Sequence, residues 1–179
     1  MSRIIIMLIV AASLSAADPE LVFDVTLIDK QGKNPLIVAW LEDDRGKFIR
    51  TMHVFGKAKK HFKDLTTWWS KRGSKEDQKT LDAVVGATVF WKQHVVVKTP
   101  ATGIPLGSVL RIEQGQESKP DYDTAKISIL LDARWKGTVL KANEFFEQLS
   151  VTLSPSPADA VTAAKKGKTT TPSPPLNQP

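Results

Sequence analysis

The chain has 179 residues, a formal net charge of +6 and no cysteine. That length suits one ordinary domain with a proper core plus ends that need not fold, and the lack of thiols excludes disulfides, thiolate catalysis, Cys-type zinc sites and c-type haem attachment. The basic balance argues for an anionic surface or an acidic partner rather than nucleic acid, because the cations are bunched instead of interleaved with exposed aromatics.

The first residues read MSRIIIMLIVAASLSAADPE: Arg3, an unbroken apolar run from Ile4 to Val10, then the small residues Ser15, Ala16 and Ala17. This is the pattern of a secretory signal peptide over residues 1–17, cut after Ala17. The run falls well short of the roughly 20 apolar residues that span a bilayer, so no stable membrane anchor is expected after cleavage. A periplasmic or otherwise exported domain is expected over residues 18–154.

In LVFDVTLI, Leu21, Phe23, Val25 and Leu27 alternate with Asp24 and Thr26, the two-residue period of a strand. Leu36 to Leu41 is an apolar run, Asp43-Asp44-Arg45-Gly46 a turn, and Phe48 to Phe55 a second β-rich run, which together predict a hairpin. SVLRIEQ, AKISILL and EQLSVTLS alternate in the same way, with Arg111 and Glu113 on the polar side of the first. Short strands with no strand–helix alternation predict an all-β fold, an antiparallel Ig-like or fibronectin-type β-sandwich.

One segment breaks the pattern. KAKKHFKDLTTWWSKRGSKEDQKT sets Phe62, Leu65 and Trp69 at α-helical spacing, among eight Lys and Arg residues from Lys57 to Lys79. It predicts one short helical insertion docked by Trp69, with Trp68 left open, followed by a polar loop. The basic run is either a solvated face or a means of steering an acidic partner or a nucleotide phosphate. From Ser154 the chain holds six of the eleven prolines and no aromatic residue, so residues 155–179 are expected to form a disordered Pro/Thr/Lys-rich tail.

The remaining chemistry is sparse. His53, His61 and His94 share no ligand spacing, so no metal site is expected, and His53 is expected at the surface. Glu42-Asp43-Asp44 and Glu76-Asp77 read as solvated charge in a turn and a loop. No serine stands in a Gly-x-Ser-x-Gly elbow, and no nucleophile has a base marked beside it, so the protein is not expected to be an enzyme.

The elements VAWLEDDRGKFIRTMHVFG, KDLTTWW, LDAVVGAT and GIPLGSVLRIEQ, in that order, resemble the periplasmic family known as domain of unknown function 2271, over about Leu21 to Leu153. The resemblance implies an exported Ig-like sandwich. Within it, DAVVGAT resembles the acceptor motif of FAD:protein FMN transferases, with Val85 where that motif has serine or threonine. This second resemblance implies FMN esterified to Thr88, Asp82 orienting the segment, and Gly86 and Ala87 leaving room for the transferase. Trp68 or Trp91 would then stack on the flavin, and the partners would be the transferase and a membrane redox protein. The purely structural reading of the same residues has Asp82 capping a turn, Gly86 bending the chain and Thr88 opening a strand. It goes with a cofactor-free binding or structural module of an envelope assembly.

Overall fold

The alternation in LVFDVTLI becomes β1 (Glu20–Leu27), which buries Leu21, Phe23, Val25 and Leu27 and leaves Val22, Asp24 and Thr26 on the other face. The computed structural model describes residues 18–72, 76–118 and 126–154. The expected signal peptide and the expected tail lie outside the described residues.

Around β1 run β2 (Pro35–Glu42), β3 (Phe48–Phe55), β4 (His94–Pro100), β5 (Ser108–Gln116), β6 (Lys126–Leu131), β7 (Gly137–Leu140) and β8 (Phe146–Leu153). They form two four-stranded sheets, ordered β4-β1-β8-β7 and β3-β2-β5-β6, and every strand pair is antiparallel. This is the all-β antiparallel sandwich that the periodicity predicts. Phe23, Val25, Ile37, Leu41, Leu110, Ile112, Leu149 and Val151 meet in the core between the sheets. The hairpin turn falls where expected, with Gly46 at φ 73°, a conformation glycine adopts without steric cost.

β2 is buried along its whole length, which explains its apolar run: strands covered on both faces do not alternate. Ile37, Ala39 and Leu41 enter the sandwich core, while Leu36, Val38 and Trp40 face outwards into a second apolar cluster with Phe48, Val54, Phe62, Leu65, Trp68 and Leu81. The cover over that outer face is the insertion between β3 and β4. It consists of three short segments rather than one helix: a 3-10 helix (Lys59–Asp64), α1 (Thr66–Arg72) and α2 (Gln78–Val84).

That division corrects the aromatic assignment. Trp68 is fully buried and Trp69 is 41 % exposed, the reverse of the α-helical expectation. The 3-10 helix ends at Asp64 and α1 starts at Thr66, so no single α-helix carries Phe62, Leu65 and Trp69 on one face; the break at Leu65 turns Trp68 inwards, where its ring packs edge-on to Phe62 at 5.7 Å. The Trp68 indole N–H donates to Thr51 Oγ1 at 3.0 Å, giving the buried ring its polar partner.

Three carboxylates expected in water are buried under the same cover. Glu113 is inaccessible, and its two oxygens accept the backbone N–H groups of Thr67 and Trp68 at 3.0 and 2.7 Å, capping α1. Glu42 is also inaccessible, bonded by the Trp40 indole N–H at 3.0 Å, Lys71 at 2.6 Å and Arg111 at 2.9 Å. Burial alone would raise the Glu42 carboxyl; the bonds from Lys71, Trp40 and Arg111 outweigh it and hold the group below its ordinary value. Glu76 accepts from the Thr51 N–H at 2.8 Å and the Thr51 hydroxyl at 2.6 Å.

The insertion also closes the outer edge of β3, which would otherwise present unpaired backbone groups to a second chain. From the insertion, Thr51 N–H goes to Glu76 and Val54 O accepts Gly86 N–H at 2.8 Å; between them Met52 O accepts the hydroxyl of Thr99, on β4, at 3.1 Å.

Candidate functional site

The segment Leu81 to Thr88 begins as helix. Asp77 caps α2 through the Thr80 N–H at 2.7 Å, and the backbone bonds from Thr80 hold its carboxyl below the ordinary value. α2 ends at Val84, and Val85 makes a single parallel bridge to Val54 on the edge of β3. Val84 and Val85 pack against the outer apolar cluster. The valine at 85 therefore has a packing role in this fold, where the acceptor motif has a hydroxyl.

Gly86 is set by its neighbour across the bridge. A Cβ there would lie 2.5 Å from His53 Nε2, closer than real side chains approach, so only glycine fits without displacing the ring. His53 is thus not the free surface residue expected from strand alternation. It is half-buried, its ring centroid lies 4.6 Å from that of Phe55, and burial pushes the imidazole down to about 4.

After Gly86 the chain is irregular as far as Gln93, and β4 starts at His94. Thr88 therefore opens no strand. It lies in a connection that crosses from the edge of β3 towards β1, pinned by the buried Val89 and by Leu27 N–H to Gln93 O at 2.9 Å. Ala87 is exposed and Thr88 half-buried. The Thr88 hydroxyl oxygen accepts a long bond, 3.4 Å, from the Lys57 backbone N–H.

Asp82 stands on the exposed side of α2. Its Oδ1 accepts from Gln78 Nε2 at 2.6 Å and pairs with Lys59 Nζ at 2.6 Å. Lys59 first, and Gln78 after it, keep this carboxyl below its ordinary value, so it is a carboxylate at neutral pH. Lys57 and Lys59 belong to one short stretch at the exit of β3, so Asp82 and Thr88 are both held against that stretch.

The two tryptophans are elsewhere. Trp68 lies beneath the helical cover, which corrects its candidacy as a flavin-stacking residue, since neither face of the ring is accessible. Trp91 is half-buried, with its indole N–H on Lys33 O at 2.9 Å and its ring 6.1 Å from that of Phe145, under the Lys30 ammonium. The aromatic that is open to solvent next to the acceptor is Phe90, 55 % exposed and two residues beyond Thr88.

Phe90, Lys57, Lys59 and His53 were not legible as members of the site. Lys57 and Lys59 were visible only as parts of a basic run, and no spacing rule connects residue 59 to residue 82 or residue 53 to residue 86.

A cleft of about 600 Å³ lies nearby, between α2 and the ends of β3 and β4, lined by Arg50, Met52, Glu76, Lys79, Ala83 and Thr99 among others. The three histidines are dispersed: His53 against Phe55, His61 on Asp64 at 3.1 Å and His94 on Asp24 at 2.9 Å. Among the described residues no three His, Asp or Glu side chains converge as metal ligands do.

Comparison with known proteins gives one match. No curated protein and no solved structure is significantly similar to the chain. The family described as predicted periplasmic protein (DUF2271) matches residues 20–148, from the first residue of β1 into β8. With most of its length matched, the chain belongs to the DUF2271 family of predicted periplasmic proteins.

Proposed function

We propose that this periplasmic sandwich is a non-enzymatic carrier of covalent FMN, esterified at Thr88, that passes electrons to or from a membrane redox protein. The observation that carries the reading is the setting of Thr88: a half-exposed hydroxyl on irregular backbone, behind the side-chain-free Gly86 and the exposed Ala87. Another enzyme's active site can engage such a segment without unfolding a helix or strand. The hydroxyl is wanted as a nucleophile.

In the transfer, Thr88 Oγ1 attacks the flavin-side phosphorus of FAD. An O–P ester bond forms, the pyrophosphate P–O bond breaks, and AMP leaves with that electron pair. The hydroxyl proton passes to a base of the transferase, because the Lys57 N–H donates to Thr88 Oγ1 and cannot accept. Attached FMN supplies the redox chemistry, and the chain supplies tether and surroundings. Phe90 takes the stacking role first assigned to Trp68 or Trp91, since Trp68 is buried and Trp91 packs against Phe145 under Lys30.

A cofactor-free module of an envelope assembly is the second reading. The packing duties of Val85 against the outer cluster and of Gly86 against His53 favour it, since both account for the motif without any transferase. Flavin fluorescence on a denaturing gel separates the two. Chain coproduced with an FMN transferase should fluoresce as wild type and stay dark as Thr88→Ala; a dark wild-type band beside a fluorescent known acceptor leaves the cofactor-free reading.

A further inference from the structure

Resting on the reading of Thr88 as the FMN acceptor, we infer that Lys59, held at the motif by Asp82, and the backbone N–H of Lys57 form the seat of the phosphate joined to Thr88.

The esterified phosphorus is one bond from Thr88 Oγ1, and the Lys57 N–H already points at that oxygen from 3.4 Å. A phosphate oxygen attached there comes within hydrogen-bond reach of the same N–H. The phosphodiester carries one negative charge and is placed on the segment that bears the Asp82 carboxylate, so an unopposed Asp82 would repel it. Lys59 Nζ neutralises that carboxylate at 2.6 Å, and it does so from two residues beyond the amide that contacts Thr88.

Lys59 is also free to shift. Its side chain is 52 % exposed, and an ammonium on a flexible four-carbon stem moves between neighbouring oxygens at little cost. When it turns to the phosphate, Gln78 Nε2 stays on Asp82 Oδ1 at 2.6 Å, so the carboxylate keeps a donor. The pair is therefore more than a surface ion pair, which by itself adds little stability. It holds a cation on the same Lys57–Lys59 stretch whose amide contacts the acceptor hydroxyl, available on this inference for the charge of the incoming pyrophosphate and afterwards for the diester.

The test uses the mature chain, purified FMN transferase and FAD, with FMN incorporation followed by intact mass at low and high salt. Lys59→Gln should slow incorporation about tenfold, the loss expected for one charge-assisted hydrogen bond. Lys59→Arg should recover most of the rate, and Asp82→Asn should fall between. The wild-type rate should drop as salt rises, and the Lys59→Gln rate should respond less. Thermal unfolding of each variant is recorded alongside.

If Lys59→Gln is modified as fast as wild type, the seat is overturned while FMN on Thr88 stands. If Lys59→Gln and Lys59→Arg are equally slow and both unfold earlier, Lys59 is only structural and the seat is again overturned. If wild type takes up no FMN while a known acceptor does, the carrier reading falls and the seat with it.

Discussion

On its inner face β2 presents Ile37, Ala39 and Leu41 to a core of apolar side chains; on its outer face Leu36, Val38 and Trp40 lead to the buried carboxylate of Glu42 and a layer of short helices. The inner face is held by area, with two sheets already ordered by their own ladders. The outer face has to order segments of six and seven residues, too short to be stable helices alone. Glu113 and Glu76 do this by binding backbone N–H groups, and Glu42 by binding Lys71 of α1. The acceptor segment hangs from this second layer, so its position depends on polar contacts more than the rest of the fold does.

Trp68 and Trp69 give the sharpest contrast. Trp68→Ala should lower unfolding stability by ~4 kcal/mol, through loss of a buried indole and its bond to Thr51. Trp69→Ala should change it by less than about 0.5 kcal/mol in the same urea titration, as an exposed substitution does. Equal effects would contradict the burial of Trp68 and the exposure of Trp69. Next comes Glu113→Ala, which orphans two backbone N–H groups at the start of α1 and should cost about 3 kcal/mol. The loss should appear as faster amide exchange in α1 while β1 and β8 stay protected; uniform loss would mean that the two layers unfold together.

His53 supplies a pH test. Its folded-state value of about 4 lies below the ordinary 6.5, so the unfolded chain binds the extra proton between those values. Stability from keeping the ring neutral is whole above about pH 6.5 and is lost as pH falls towards 4. Each pKa unit is worth ~1.4 kcal/mol, and the partial exposure of the ring reduces the loss to about 2 kcal/mol. His53→Asn should flatten that slope in urea titrations at pH 7 and about pH 4.5. Below that comes Gly86→Ala, about 1.5 kcal/mol from crowding against His53. His53→Ala should relieve it, a coupling that a double-mutant cycle measures.

The sandwich was legible because six of its strands announce themselves by alternation or by an apolar run. β4 did not, since Val95, Val96 and Val97 follow one another without a polar break even though Val96 is 52 % exposed. The site was half legible. LDAVVGAT marks Asp82, Gly86, Ala87 and Thr88, but the reason for Gly86 lies on β3, and the partner of Asp82 lies on a 3-10 helix. Contacts between segments more than twenty residues apart carry no local spacing. Glu113 was misread because its strand period is correct and only the tertiary cover turns the polar face into an interior.

The most direct measurement is the intact mass of the mature protein isolated from its own cell envelope, beside Thr88→Ala. The carrier reading predicts an increment of one FMN moiety in the wild type and none in the variant. An unmodified wild-type mass in a cell whose transferase labels other proteins would contradict it, and LDAVVGAT would then be a helix end fastened to the edge of β3.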